Sequence, residues 1–376
     1  MRMLAAVMYQ QGLPTPYAES QPFHIEEVEI DGPNEGEVLV EVAAAGLCHS
    51  DLSQVAGLRK RMLPVVGGHE GAGVVREVGP GVTKVKPGDH VVMTVATGCG
   101  SCRYCVNIKP ALCERISVSR SQGVLPNGMR RLSRNCEPVF HYSGISSFAQ
   151  YAVTSPNALI QIDSSIRLDV AAMFGCAVVT GAGAVFNTAR LRPGQSAAVI
   201  GLGGVGLNAV MAARVAGASS IIGIDLKDEK FALARELGCT HTISARDPDA
   251  VQTIKDLTRG GVDFCFEISG AKPAMTMANA ITCKGGEVIC VGLGATTDMY
   301  HYAHALLVGE EKAFRGSLMG GGLAERDIPM LLRLYRDGRL QVDRLMSRTM
   351  KFDELNRSLD LLDRGEVVRQ ILLPNG

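Results

Sequence analysis

In the first half of the chain, apolar positions come in short, β-branched blocks. Residues 37–42 read Glu-Val-Leu-Val-Glu-Val, and residues 74–78 and 90–95 are similar, with Gly and Pro between them. An irregular, mostly β region is predicted there. The texture changes around residues 191–194. Residues 196–200 have the continuous apolar run of a buried strand, 204–216 have helical period, and 220–225 are again strand-like. That is a βαβ unit. A helix over 229–237 and strands over 241–243, 262–267 and 286–292 continue the alternation, which implies an α/β fold with a parallel, doubly wound sheet. Two helices (328–335 and 353–364) and a strand (367–373) follow, and these are assigned to the first region. Residues 113–147, rich in Ser, Arg and Gly, are predicted to form loops.

At 376 residues and 46% hydrophobic content, the chain exceeds what one core supports. Two domains are expected: 1–177 completed by 320–376, and 178–319. Lys plus Arg and Asp plus Glu balance at 38 each, with no block of like charge, which argues against nucleic acid or an anionic membrane as partner. The expected partner is a small molecule. No stretch reaches the roughly 18 apolar residues of a membrane span, and no cleavable leader is apparent. The eleven cysteines are odd in number and partly clustered, which suits metal ligation in a reducing cytoplasm better than a disulfide framework.

Residues 199–206 read Val-Ile-Gly-Leu-Gly-Gly-Val-Gly, a G-x-G-x-x-G fingerprint that follows a strand and opens a helix. Gly201 allows the tight turn, Gly203 the approach of a pyrophosphate, and Gly206 close helix–strand packing, with Gly204 and Val205 between them in the helix's first turn. Asp225, at the end of the next strand, is placed to accept hydrogen bonds from the adenosine ribose. Its charge would repel a 2′-phosphate, so NAD is expected over NADP. Lys230 is either a further ribose contact or a solvated helix face.

Cys99, Cys102, Cys105 and Cys113 give C-x2-C-x2-C-x7-C, a set able to close tetrahedrally around one structural zinc ion. Ferredoxin-type iron–sulfur ligation would continue x3-C-P, and here it does not. Ligand types for a second metal occur in three further segments, around Cys48, His69 and Cys176. Read singly, each could be a buried thiol or a satisfied histidine, and spacing cannot join them.

Taken in order with the thiolate lobe and the glycine fingerprint, these segments resemble the zinc-containing medium-chain alcohol dehydrogenases over nearly the whole chain. The resemblance implies a β-rich, GroES-like catalytic domain beside a Rossmann domain. It makes Cys48, His69 and Cys176 the protein ligands of a catalytic zinc, for two zinc ions per chain, with water or substrate oxygen in the fourth position. Asp51 should then bond the His69 ring and Glu70 stand behind the metal, unless they are a helix N-cap and a solvated charge. His49 and Arg369 match positions that contact the cofactor pyrophosphate. Ser50 matches the hydroxyl that takes the substrate proton. Zinc lowers the pKa of an alcohol oxygen, which makes the adjacent C–H a hydride donor to the nicotinamide.

There are departures from the family pattern. Many members carry a proton-relaying histidine where Ser53 stands. By the same comparison, Arg59, Val95, Val118 and Tyr142 occupy substrate-channel positions, and Val95 replaces a bulkier aromatic. Arg59 could meet an anionic substrate, although Arg59-Lys60-Arg61 also reads as a solvated basic loop. Glutathione-linked formaldehyde dehydrogenases of the family have an acid at Arg59 and an arginine at Ser117, which argues against that activity. The segment 113–140 resembles the longer loop of the family's dimeric branch, which implies a homodimer over a tetramer. The activity implied is NAD-linked oxidation of a primary alcohol to its aldehyde, reversibly. The alternatives are a polyol or secondary-alcohol dehydrogenase, or a dinucleotide-binding protein without catalysis.

Overall fold

The apolar blocks of the first half form antiparallel strands because one face of each is buried. In the strand Val38–Leu47 nearly every residue is buried, and it pairs with Gly71–Val78, Tyr151–Thr154 and, much later in the chain, Arg369–Leu372. A computed structural model describes residues 1–295 and 297–376. These form two units: Met1–Cys176 with Leu323–Met330 and Val342–Gly376, and Ala177–Gly322 with Leu331–Gln341.

In the first unit the main sheet runs in the order Leu159–Ile162, His90–Met93, Gly71–Val78, Val38–Leu47, Arg369–Leu372, Met346–Met350. A small closed barrel forms from Arg2–Met8, Phe23–Ile30, Leu132–Arg134, Glu137–His141 and Val65–Val66. Val7, Val28, Ile30, Leu39, Leu132 and Val139 fill one core of this unit.

Residues 113–147, expected as loops, are not irregular throughout. They contain the helix Glu114–Gln122 and the strands Leu132–Arg134 and Glu137–His141. The helix is polar and nearly without an apolar stripe, so it carries no periodic signal. It is specified by Glu114 in its first turn and by Gly123 at its end, in the left-handed region (φ 64°). The hairpin turns through Asn135 and Cys136, both at positive φ. A two-residue turn of this kind usually announces itself as Asn-Gly.

In the second unit the strand order is His241–Ser244, Ser220–Asp225, Ser196–Ile200, Val262–Glu267, Thr282–Cys290, Ala313–Gly316, all parallel. Numbered along the chain, this is the 3-2-1-4-5-6 order of a doubly wound dinucleotide fold, whose ligand crevice lies where the order reverses. Ala198, Ile222, Ile224, Cys265 and Val288 lie in its core. The tail is divided between the units. Leu331–Gln341, expected with the first region, groups with the second, where Leu340 is fully buried and the Gln341 N–H donates to the Met211 sulfur (3.2 Å). Among the described residues, no single helix is long and apolar enough to cross a membrane.

Candidate active site and metal centres

Cys48 ends the long strand Val38–Leu47 and caps the helix His49–Val55, His69 follows the buried strand Val65–Val66, and Cys176 follows the short turn Met173–Gly175. All three are buried, and their ligand atoms lie within 4.8 Å of one another. Gly68 places the histidine: its φ is +85°, and a Cβ there would press on Phe148 and Ser147. On the other side, the Thr94 hydroxyl donates to the Gly175 carbonyl (2.7 Å) and steadies the turn before Cys176.

One carboxylate ties two of the ligands together. Asp51 Oδ2 accepts the Cys48 N–H (3.0 Å), which is the helix cap, while Oδ1 bonds His69 Nδ1 (2.9 Å). Asp51 is therefore not the N-cap, which is Cys48, but the third residue of the helix, whose carboxylate reaches back to the N-cap N–H and also bonds the histidine. With Nδ1 held, Nε2 is the nitrogen left for the cluster, and it is buried without a hydrogen-bond partner. A buried orphan nitrogen facing two thiols is what a metal would satisfy. Burial opposes charge on His69, but the Asp51 carboxylate outweighs it and holds the metal-free imidazole up at about 10. The Cys48 thiol is pulled well below its ordinary value, chiefly by the Cys176 sulfur and against burial.

A prediction follows for metal uptake. At pH 7 the metal-free His69 is below its raised pKa and protonated, so binding zinc expels that proton. Asp51→Asn removes the charge that keeps it there, leaving burial to favour the neutral ring. Calorimetry in buffers of different ionisation enthalpy should show the variant releasing about one proton fewer and binding zinc about 10–100-fold more weakly.

Glu70 is fully buried and is not a solvated charge: it pairs with Arg369, while its carbonyl accepts from the Ser147 hydroxyl (2.8 Å). Arg369 is thus buried and engaged, with its Nε unpartnered. His49 is exposed and Ser50 half-buried at the start of the same helix. The Ser53 hydroxyl donates to the His49 carbonyl (2.8 Å).

The second cysteine set is also assembled. Sulfur separations are 4.0 Å for Cys99–Cys105, 3.5 Å for Cys102–Cys105 and 3.8 Å for Cys102–Cys113. Four thiolates about 2.3 Å from a tetrahedral zinc would stand about 3.8 Å apart, so the lobe fits that ion. The Cys99 N–H donates to the Cys113 sulfur (3.3 Å). Backbone donors at Ser101 and Cys102 pull the Cys99 thiol down to about 6, while burial pushes Cys105 up to about 12.

In the second unit, Gly201 has φ +98° in the turn between Ser196–Ile200 and the helix Gly204–Val215. A Cβ on Gly206 would collide with the Gly201 carbonyl, whereas a Cβ on Gly203 would meet open space. That leaves one bare backbone surface, where a pyrophosphate would lie. Asp225 does more than the sequence suggested. Its Oδ2 accepts the Leu202 N–H (2.7 Å) inside the glycine turn, and Lys230 Nζ bonds both its oxygens (3.0 and 3.1 Å).

Of the expected channel residues, Val95 and Tyr142 are buried, with the Tyr142 ring edge-on to His69 (centroids 5.5 Å apart), while Val118 is 55% exposed. Sequence reasoning missed Gln54, Arg61 and Arg120. Arg61 lies over the Tyr142 ring (5.4 Å), and Arg120 donates to the Val95 carbonyl. For the two arginines the only sequence signal was positive charge in stretches expected as loops, and Gln54 gave none.

Two family models match the chain: "Alcohol dehydrogenase GroES-like domain" over residues 34–164 and "Zinc-binding dehydrogenase" over 204–337. The S-(hydroxymethyl)glutathione dehydrogenase of Paracoccus denitrificans is 37% identical over 384 residues, covering 99% of this chain and 100% of that protein. Among solved structures, an alcohol dehydrogenase zinc-binding domain protein from Burkholderia ambifaria is 35% identical with a TM-score of 0.93. The benzyl alcohol dehydrogenase of Acinetobacter calcoaceticus is 32% identical with a TM-score of 0.92. Each structure and this chain cover 99% of one another. Since both halves match their own family model and the relatives match end to end, the chain belongs to the zinc-dependent, medium-chain alcohol dehydrogenases, oxidoreductases that use zinc and a nicotinamide dinucleotide on small alcohols and aldehydes.

Proposed function

We propose that the protein reversibly oxidises a primary alcohol to its aldehyde with NAD, at a catalytic zinc held by Cys48, His69 and Cys176. The carrying observation is the buried cluster of two sulfurs and a ring nitrogen within 4.8 Å, with Asp51 fixing the ring. Zinc supplies the acidification of the alcohol oxygen that makes its carbon a hydride donor. Asp51 orients His69, and Glu70 with Arg369 closes the pocket floor behind it. Ser50 bonds the substrate hydroxyl and takes its proton. The pyrophosphate lies along the bare backbone at Gly203, at the start of the helix Gly204–Val215. Cys99, Cys102, Cys105 and Cys113 hold a second zinc that stabilises their lobe and does no chemistry. The relatives named for hydroxymethylglutathione and benzyl alcohol both act on a CH2OH carbon, which supports a primary over a secondary alcohol here. NADH formation by the zinc-loaded protein over matched primary and secondary alcohols tests the reading. Secondary alcohols turned over faster would reject it.

NAD is preferred over NADP because Asp225 presents its carboxylate at the end of Ser220–Asp225. Lys230 half-neutralises it, so the discrimination is moderate. In Asp225→Gly the KM for NAD should rise about tenfold and the preference for NAD over NADP fall by about 10–100-fold. A wild type that prefers NADP would reject the assignment. The chain acts as a homodimer. Leu293, Met299, Leu306 and Val308 are exposed in the stretch leading to the edge strand Ala313–Gly316, a surface that another copy would cover. Light scattering at micromolar concentration checks the mass.

A further inference from the structure

In the second unit a ladder of backbone hydrogen bonds crosses the carboxyl ends of the strands. The Gly201 N–H donates to the Ile224 carbonyl (2.8 Å), Ile268 to Ile200 (2.9 Å), Val291 to Glu267 (2.8 Å) and Ser317 to Cys290 (2.9 Å). Each bond joins a residue just past one strand to the end of the strand beside it. A doubly wound sheet binds a dinucleotide across the point where its strand order reverses, one mononucleotide on either half. With Asp225 on the half that takes adenosine, the nicotinamide half belongs to the ends of Val262–Glu267, Thr282–Cys290 and Ala313–Gly316. Ser317 is the last rung.

The backbone after that rung has a costly shape. Met319, Gly320 and Gly321 all lie at positive φ (49°, 74° and 66°), which a methionine rarely adopts. A neighbouring helix holds it there. Ala177–Gly183 runs directly into a π-helical turn, Ala184–Ala189, and meets the segment backbone to backbone. A Cβ on Gly183 would strike Gly320, and one on Gly320 would strike the Val179 carbonyl. The π turn then supplies two side chains. The Thr188 and Ser317 hydroxyls, both buried, share a hydrogen bond (2.8 Å), and the Asn187 amide donates to the Gly320 carbonyl (3.2 Å). Arg315, on the strand before, donates to the Thr188 carbonyl (3.0 Å). A π turn bonds five residues along where an α turn bonds four, so it re-aims the side chains that follow, and such turns are frequent at functional sites.

We propose that Thr188 and Asn187 are positioning residues for hydride transfer: from the π turn they hold residues 317–321 in the shape that seats the nicotinamide ring. They act through that backbone and not on the reacting atoms. The inference rests on reading Asp225 as the adenosine end of the site.

The test separates the nicotinamide from the rest of the cofactor. NADH and ADP-ribose, which has the adenosine, the pyrophosphate and the second ribose but no nicotinamide, are titrated calorimetrically into the zinc-loaded protein, without turnover. Thr188→Val keeps the volume of the side chain and leaves the buried Ser317 hydroxyl without its partner. It should weaken NADH about tenfold and ADP-ribose by less than about twofold. The emission of bound NADH should move toward that of free cofactor, and kcat should fall about tenfold with the KM for alcohol unchanged. Thr188→Ser, which keeps the hydroxyl, should restore all three. Asn187→Ala, at a half-buried position, should shift the ratio of the two affinities the same way by about threefold, and it carries the test if the valine variant does not fold. Loss of NADH and ADP-ribose affinity by one factor, or no change in either, would overturn the proposal. If the wild type takes NADPH in place of NADH, the Asp225 reading fails, and the comparison made with NADPH and 2′-phospho-ADP-ribose still decides whether Thr188 serves the nicotinamide.

Discussion

Cys176→Ser is expected to leave one zinc ion per chain where two are proposed for the wild type, and to cut turnover by about 10³-fold or more. The ligand sets are unlike: a Cys-His-Cys cluster with room for a fourth ligand, and four cysteines that close on themselves. Serine is a poorer zinc ligand than thiolate, so the first set fails alone. Losing a catalytic metal removes several kcal/mol of transition-state stabilisation, and each factor of ten in rate is about 1.4 kcal/mol. The thiolate lobe is anchored by its own N–H to sulfur bond from Cys99, so the retained ion should resist chelators that strip the other. Metal analysis together with circular dichroism checks this. One zinc, or iron, in fully active wild type would reject the two-site assignment.

Ser50→Ala should lose about 10² to 10⁴-fold in alcohol oxidation while keeping zinc and NAD affinity, because the hydroxyl proposed to receive the substrate proton is gone. Beyond Ser50 the route has no imidazole at position 53. The Ser53 hydroxyl is spent on the His49 carbonyl and cannot hold a proton near neutrality. Ser53→His supplies a base of pKa about 6.5. It should therefore speed oxidation where hydroxide is scarce, at acidic to neutral pH, and change little at alkaline pH. Single-turnover NADH formation across pH, with a deuterated alcohol to show when hydride transfer limits, measures it. If His49→Gln removes a near-neutral titration without weakening NAD binding, His49 is the base and not a pyrophosphate contact.

What was legible in the chain was local. The glycine fingerprint, with Asp225 after it, is a contiguous stretch whose spacing maps onto one turn and two strands. The four cysteines likewise sit within a single stretch. The ligands Cys48, His69 and Cys176 could be joined only through resemblance, because distant segments bring them together. Asp51 was read as either a cap or a histidine partner, and its carboxylate has one oxygen for the N-cap N–H and one for the ring. The helix Glu114–Gln122 was missed because its end signals, not its periodicity, define it. Arg61 and Arg120 were illegible because a charge reads as solvated until tertiary contacts show otherwise, and Gln11, which clamps Arg61, is fifty positions away.

The threading of the chain also orders events during synthesis. Arg369–Leu372 occupies the slot between Val38–Leu47 and Met346–Met350, and Arg369 is the partner of Glu70. All three candidate zinc ligands have been synthesised by residue 176, yet this strand is made only after Ala177–Gly322. Throughout that interval the Ala45–Leu47 end of that strand presents an open edge, and Glu70 is a carboxylate without its counter-ion. The nascent first unit is therefore a natural client for chaperones, and a ribosome stalled before residue 369 would release a chain in which the dinucleotide unit is nearly complete and the zinc unit is not.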